Sequence, residues 1–204
     1  MAPIAATGDP TADRICEATL TCIARWGVSK TTLEDVAREA GCGRATIYRT
    51  FRGGKAEVLR AVLNREMTRF RSTVDDALAD AEGLEDKVVA GVVAAAAFLE
   101  GHAALGYLLR HEPEVVLPWL AFRRMGALYG IVAGFAAPHL AVELGDPERA
   151  ARAAEWLARV VLTYVAHPVP GVDLADPVAA RHLLSTYVLP ALVAGPPAAT
   201  KEHS

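Results

Sequence analysis

Cysteine is scarce in this chain of 204 residues: Cys16, Cys22 and Cys42 are all there is. None forms a C-x-x-C pair, so an odd count without metal-ligand spacing fits a reducing cytosol rather than a disulfide framework. Cys22 falls on an apolar helical stripe, where burial as a small hydrophobe is expected. Histidine offers no metal site either, because His102, His111, His139, His167 and His182 show no H-x-x-x-H spacing. No glycine-rich phosphate loop is present; "RGGK" at 52–55 lacks the spacing and reads as a turn. No local signature joins a cysteine to a histidine, and no acid/base cluster can be assembled. The chain is therefore expected to be no enzyme and to need no cofactor. The longest apolar run, Val88 to Leu99, is closed by Lys87 and Glu100 and is too short for a bilayer, so no membrane partner is expected. Residues 1–7 lack a basic flank and an apolar signal core, and a cytoplasmic location is expected.

Alternation with period two is almost absent, and helical spacing takes its place. An all-α chain is expected. Hydrophobic residues make up 52% and charged residues 22%, ordinary values for a water-soluble protein. The formal net charge of −3 conceals an asymmetry. Residues 11–71 hold 12 Lys/Arg against 7 Asp/Glu, and the remainder holds 9 against 17. A basic module joined to an acidic body points to a polyanion partner for the module.

Asp9-Pro10 reads as an N-cap followed by proline at the first helical position. Ile15, Ala18, Thr19, Cys22, Ile23 and Trp26 then line one face, and Gly27 is placed to end the helix in a left-handed conformation. Thr31 and Glu34 read as a capping box for a short helix with Leu33, Val36, Ala37 and Ala40 on its stripe. Gly41 stops that helix, and residues 44–50 offer another of about two turns. Gly53-Gly54 breaks the chain before a long helix over about 55–81, and Gly83 separates that from a helix over 84 to about 101. Pro113 and Pro118 call for short or kinked helices between them. The stretch 125–137 is apolar on most sides and is expected to be deeply buried. Asp146-Pro147 and Asp176-Pro177 repeat the cap signal and open helices expected over 147–166 and 177–194.

The stretch "GRATIYRTFRGGK" (43–55) carries four cations and no carboxylate. As the second helix of a helix-turn-helix it suits a DNA groove. Arg44 and Arg49 can bond guanine edges or phosphate, and Ala45 and the Thr46 methyl can touch a thymine methyl. Ile47 and Phe51 read as the packing side. Tyr48 can pack its ring while its hydroxyl reaches a phosphate. Lys55, at the foot of the next helix, can add a phosphate contact. The helix starts at Thr31/Thr32 and at Gly43 add backbone N–H donors.

Over residues 11–63 the order is a Gly after the first helix, T-T-x-x-D-V-A, then A-G-x-x-x-x-x-I-Y-x-x-F, then Lys and an apolar helix. This resembles the TetR family of bacterial transcriptional regulators. The common family form places two residues between Phe and Lys, whereas "FRGGK" places three, with the Gly pair available to absorb the extra one. Position by position, the resemblance implies DNA contacts from Thr32, Gly43, Arg44, Ala45, Thr46, Tyr48, Arg49 and Lys55. It implies a helix-turn-helix domain at 10–54 and an all-α effector-binding and dimerisation domain at 55–195, with flexible tails at 1–9 and 196–204. It also implies pairing into a homodimer through the last two helices, with Leu157, Val161, Leu184, Tyr187, Val188 and Leu192 as candidate interface residues.

Phe98, Leu105, Tyr107, Trp119, Phe122, Phe135, Trp156 and Tyr164 supply bulk with little charge, as an apolar effector's pocket requires. "EPEVVLPWL" and "HPVPGVDLADP" look similar to family members that sense long-chain acyl ligands. The expected function is a homodimeric, ligand-released repressor on a pseudo-palindromic double-stranded operator. The alternatives are an activator with the same docking, a non-specific architectural DNA binder, and an enzyme retaining a vestigial helix-turn-helix.

Overall fold

Asp9 accepts from the Thr11 amide at 2.9 Å and Pro10 follows it, so the first helix starts where the sequence places it. The computed structural model describes residues 9–115 and 122–194. In chain order the helices are α1 (Pro10–Lys30), α2 (Leu33–Glu39), α3 (Arg44–Thr50), α4 (Gly54–Asp80), α5 (Gly83–Glu100) and α6 (Ala103–His111). They continue with α7 (Phe122–Leu144), α8 (Pro147–Ala166), α9 (Pro177–Tyr187) and α10 (Leu189–Ala194). No strand occurs among the described residues. The expected tails lie outside those residues, Asp9 excepted.

Two compact units divide the chain, with boundaries inside α4 at Ser72/Thr73, inside α5 at Ala97/Phe98, and at Met125/Gly126. The first contains α1, α2, α3, the start of α4, the end of α5 and α6. Its core joins Ile15 and Cys22 of α1, Val36 of α2, Ile47 of α3, Phe51, and Val58 and Val62 of α4. Seven-residue helices such as α2 and α3 do not persist alone. Each fully buried aliphatic side chain contributes about 1.5–3 kcal/mol, and that shared core is what holds them. Arg65 ties α4 to α1 through Glu17 at 2.6 Å and the Asp13 carbonyl at 3.3 Å. Cys16 and Cys22 are buried, Cys42 is half-buried, and all three are free thiols. Burial pushes the Cys16 thiol up to about 11.

The second unit packs Val88 and Val92 of α5, Leu140 of α7, Ala150 of α8 and Leu184 of α9 out of solvent. Interhelical ion pairs and a histidine–carboxylate hydrogen bond surround that core. Lys87 meets Glu143 at 2.7 Å, His139 meets Asp75 at 2.8 Å, and Arg181 meets Asp86 at 2.6 Å and Glu85 at 3.0 Å.

Three local expectations need correction. The capping box sits one residue later than expected: Thr32 and Asp35 exchange bonds at 3.2 Å in each direction. Thr31 is unavailable because its amide and hydroxyl both return to the Gly27 carbonyl, at 3.3 and 2.6 Å. The last helix does not run unbroken over 177–194 but stops at Tyr187, and α10 begins at Leu189. Pro190 is the reason: it has no N–H for the preceding turn, and its ring clashes with the carbonyl four residues back. The stretch 125–137 is only partly buried; Tyr129, Phe135 and Ala136 face inward while Ile131 is 52% exposed and Gly130 and Gly134 lie on the surface.

Candidate nucleic-acid interface

A helix that reads DNA needs one side anchored and the other open. In α3 the anchor is Ile47, fully buried, with Phe51 beside it at the helix end. The glycine turn at 41–43 delivers α3 without a side-chain cap: Gly43 is the N-cap, and its carbonyl takes the Thr46 amide at 2.9 Å. Arg44, Ala45, Tyr48 and Arg49 are exposed, and Thr46 is partly so. The sequence expected this inward and outward division, and the structure has it.

Tyr48 is 44% exposed, so its ring is not core. The Arg44 guanidinium lies 5.8 Å from that ring's centre and donates to its hydroxyl at 3.4 Å. This bond, with a further electrostatic contribution from the same tyrosine, holds the Arg44 pKa above its ordinary value. The pair forms a flat, cationic, hydrogen-bonding surface on one side of α3. Arg49 and Arg52 have no ion pair or side-chain hydrogen bond among the described residues. Cations left without a carboxylate are free for phosphate or a base edge.

Thr32 is exposed at the start of α2, where its side chain caps the helix. Hydrogen bonds from its hydroxyl and amide hold the Asp35 carboxyl below the usual carboxylate range, with Arg38 adding to the effect. The extra residue before Lys55 is absorbed in the turn: Gly54 takes φ 61 and donates to the Phe51 carbonyl at 3.0 Å. Lys55 itself is partly buried and donates to the Val28 carbonyl at 2.7 Å. An ammonium has three donors, so two remain for an anion.

The structure also locates the other expected residues. Phe98, Leu105 and Tyr107 are partly buried in the first unit. The Phe98 ring meets Phe70 edge-on at 5.5 Å. Phe135, Trp156 and Tyr164 belong to the second unit: Phe135 is buried, Tyr164 half-buried, and Trp156 46% exposed. Trp119 and the side chain of Phe122 lie outside the described residues. Of the expected interface residues, Leu157, Val161, Leu184 and Val188 are buried within the second unit itself. Tyr187 is 75% exposed and Leu192 is half-buried. Together with Trp156, Ala153, Ala191, Arg149 and Arg152 they edge an open groove between α8 and the α9–α10 segment. Arg149 is engaged there, donating to the carbonyls of Leu192 and Val193.

Sequence reasoning missed Glu112. This residue follows α6 and is buried, and its carboxylate accepts from the amides of Val28 and Ser29, 84 and 83 positions away in the chain. A carboxylate at a helix end just before a proline reads as solvated surface, and no local pattern marks its distant partners. His102 caps the opposite end of α6, its Nδ1 accepting from the Leu105 amide at 3.1 Å. The hydrogen is then on Nε2, which faces Glu66 of α4 at 3.4 Å.

Comparison with known proteins agrees with this geometry. Residues 15–62 match the pattern of bacterial regulatory proteins, tetR family. An uncharacterised HTH-type transcriptional regulator of Mycobacterium tuberculosis is 25% identical over 193 residues, 93% of this chain and 89% of that one. The solved structure of FadR, a fatty acid degradation regulator from Bacillus halodurans, superposes with a TM-score of 0.61 at 22% identity, covering 88% of this chain and 96% of that one. FadR from Bacillus subtilis, solved with stearoyl-CoA, gives 0.58 at 19% identity, over 91% and 99% of the two chains. These likenesses at low identity show a shared fold. The matched residues run from inside α1, through α2 and the exposed cationic α3, into α4, so over this segment the chain is similar to the tetR family of bacterial regulatory proteins.

Proposed function

We propose that the chain is a cytoplasmic, homodimeric repressor that binds a pseudo-palindromic operator and leaves it when an apolar, acyl-chain effector binds. The observation that carries the DNA-binding part is α3. Ile47 is fully buried while Arg44, Ala45, Tyr48 and Arg49 stand exposed, with no acidic residue between 43 and 55. In docking, α3 enters the major groove with Arg44 and Arg49 toward base edges. Thr32, Gly43, Thr46, Tyr48 and Lys55 hold the flanking phosphates.

Self-association is supported by the groove of α8, α9 and α10, where Trp156 and Tyr187 leave large apolar surface in solvent. The interface of the repressor is centred on those exposed side chains, with Leu192 at its edge. Leu157, Val161, Leu184 and Val188 support it from behind. The acyl-chain effector is supported by the stearoyl-CoA bound to the Bacillus subtilis relative in fold. It is also supported by the apolar bulk of Phe98, Leu105 and Tyr107 in the first unit. Converting a mostly bound to a mostly released population requires about 5.5 kcal/mol of preference for the released form.

The test is selection of duplexes from a randomised library, followed by footprinting in the presence of a series of acyl-CoA esters. A repressor of this kind enriches one inverted-repeat sequence, protects two adjacent major grooves on it, and releases it with the esters. Equal affinity for random duplex would leave an architectural DNA binder in its place.

A further inference from the structure

We propose that Glu112 is a positioning residue for DNA binding, fixing from α6 the backbone turn on which α2 and the foot of α4 depend. This inference rests on the DNA-binding reading above. Its starting point is the turn at 27–31. Gly27 ends the long part of α1 with φ 81 and ψ 172, a backbone conformation essentially closed to residues with a Cβ. The next residues make one further turn, closed by the Thr31 amide and hydroxyl on the Gly27 carbonyl. A turn of this kind begins with amides that have no partner in their own chain segment.

Glu112 supplies that partner. Its carboxylate accepts from Val28 N at 2.7 Å and from Ser29 N at 3.2 Å, and the residue is only 8% exposed. The approach is so close that a Cβ on Gly27 would lie 2.5 Å from Glu112 Cδ and Oε1. Glycine is thus required at 27 twice over, by conformation and by the carboxylate beside it. On the other side of the same peptide unit, the Val28 carbonyl accepts from Lys55 Nζ at 2.7 Å. The backbone around Val28 is therefore gripped by an acid from the end of α6 and a base from the start of α4.

Thr31 and Thr32 follow at once, and Thr32 is both the N-cap of α2 and an expected phosphate contact. A displacement of this turn displaces the start of α2 and the hold on Lys55. The α2 helix in turn packs on α3 through Val36, Ala37 and Ile47. Among the described residues the hydrogen bonds of the Glu112 carboxylate go to Val28 and Ser29 and not to α3, so its effect on DNA is indirect, through backbone placement.

The experiment uses the full chain and two variants. Glu112→Gln keeps the shape and one acceptor oxygen, and Glu112→Ala removes both. Three quantities are read: amide hydrogen exchange, the thermal midpoint, and affinity for a duplex enriched by the wild type against a random-sequence duplex. Leaving the two part-buried amides without their acceptor raises exchange at Val28 and Ser29 by about ten- to a hundredfold, with Ile15 and Cys22 of α1 unchanged. The enriched-to-random affinity ratio falls with it. In the pair of Gly27→Ala and Glu112→Ala, the double variant is less impaired than the sum, because the steric part of the glycine substitution disappears. Full protection of Val28 and Ser29 in Glu112→Ala overturns the proposal. So does an affinity loss equal on both duplexes and tracking only the thermal midpoint; a purely structural residue behaves that way. If Glu112→Ala does not fold, Glu112→Gln decides by the same criteria. If the wild type enriches no duplex, the DNA-binding reading fails instead, while the exchange data still report whether Glu112 holds the turn.

Discussion

The five described cations of the second unit all meet acceptors. Lys87 pairs with Glu143, Arg152 with Glu148, Arg159 with Glu155, and Arg181 with Glu85 and Asp86, while Arg149 binds two backbone carbonyls. On α3 and the turn after it the pattern reverses: Arg44 leans on a tyrosine, and Arg49 and Arg52 have no carboxylate among the described residues. The same side chain is matched by a protein acceptor in one region and an unmatched charge in the other. What separates the two is the surrounding sequence, because no acidic residue lies between 43 and 55. A polyanion can complete Arg49 and Arg52 without first breaking a protein contact, and at the second-unit cations it would have to compete.

Four measurements test that contrast, in descending order of effect. Ile47 is the inward side of α3, so Ile47→Ala should cost about 2–5 kcal/mol in urea unfolding, the usual range for truncating a buried aliphatic residue. Arg49→Ala should leave that unfolding curve in place and weaken binding to an enriched duplex by about tenfold or more, with less effect on random duplex. If Arg49→Ala destabilised the fold and spared DNA, the exposed side of α3 would be misassigned. Thr32→Ala removes the α2 cap and should cost about 1 kcal/mol at neutral pH. Its cost depends on pH. Asp35 has a folded pKa below its unfolded value, so its contribution is complete above about 3.9 and is lost as pH falls through the lower folded value. Wild type and Thr32→Ala should therefore converge in acid, as followed by thermal unfolding across pH 2–5, a range set by that carboxylate titration. Arg181→Ala opens two exposed ion pairs, and its unfolding midpoint and DNA affinity should both stay within error, as is usual for solvated pairs.

The sequence was most informative where structure depends on neighbours in the chain. Asp146-Pro147 set the start of α8, and the apolar spacing around Ile47 set which side of α3 faces in. The alternatives at Thr31 and Thr32 were both good caps by pattern. The choice fell to Thr32 because Thr31 is drawn back to Gly27, a contact that depends on the kink. Pro190 is a plain local signal for the end of α9, overridden in reading by the apolar stripe that continues past it. Glu112 had no local signal at all, since its partners lie more than eighty residues upstream. The candidate dimer residues divide for a related reason. Periodicity marks Leu157, Val161, Leu184 and Val188 as one apolar stripe, but the fold of the second unit already covers them. Only three-dimensional packing leaves Trp156 and Tyr187 uncovered.

The three thiols are not equivalent. Cys16 and Cys22 lie inside the core, and burial raises the pKa of both, whereas Cys42 is half-buried in the turn that leads into α3. A maleimide dye at neutral pH would therefore label the native chain at one place without any engineered cysteine. That place adjoins the reading helix, so the natural sequence already contains an attachment point for following its docking by fluorescence.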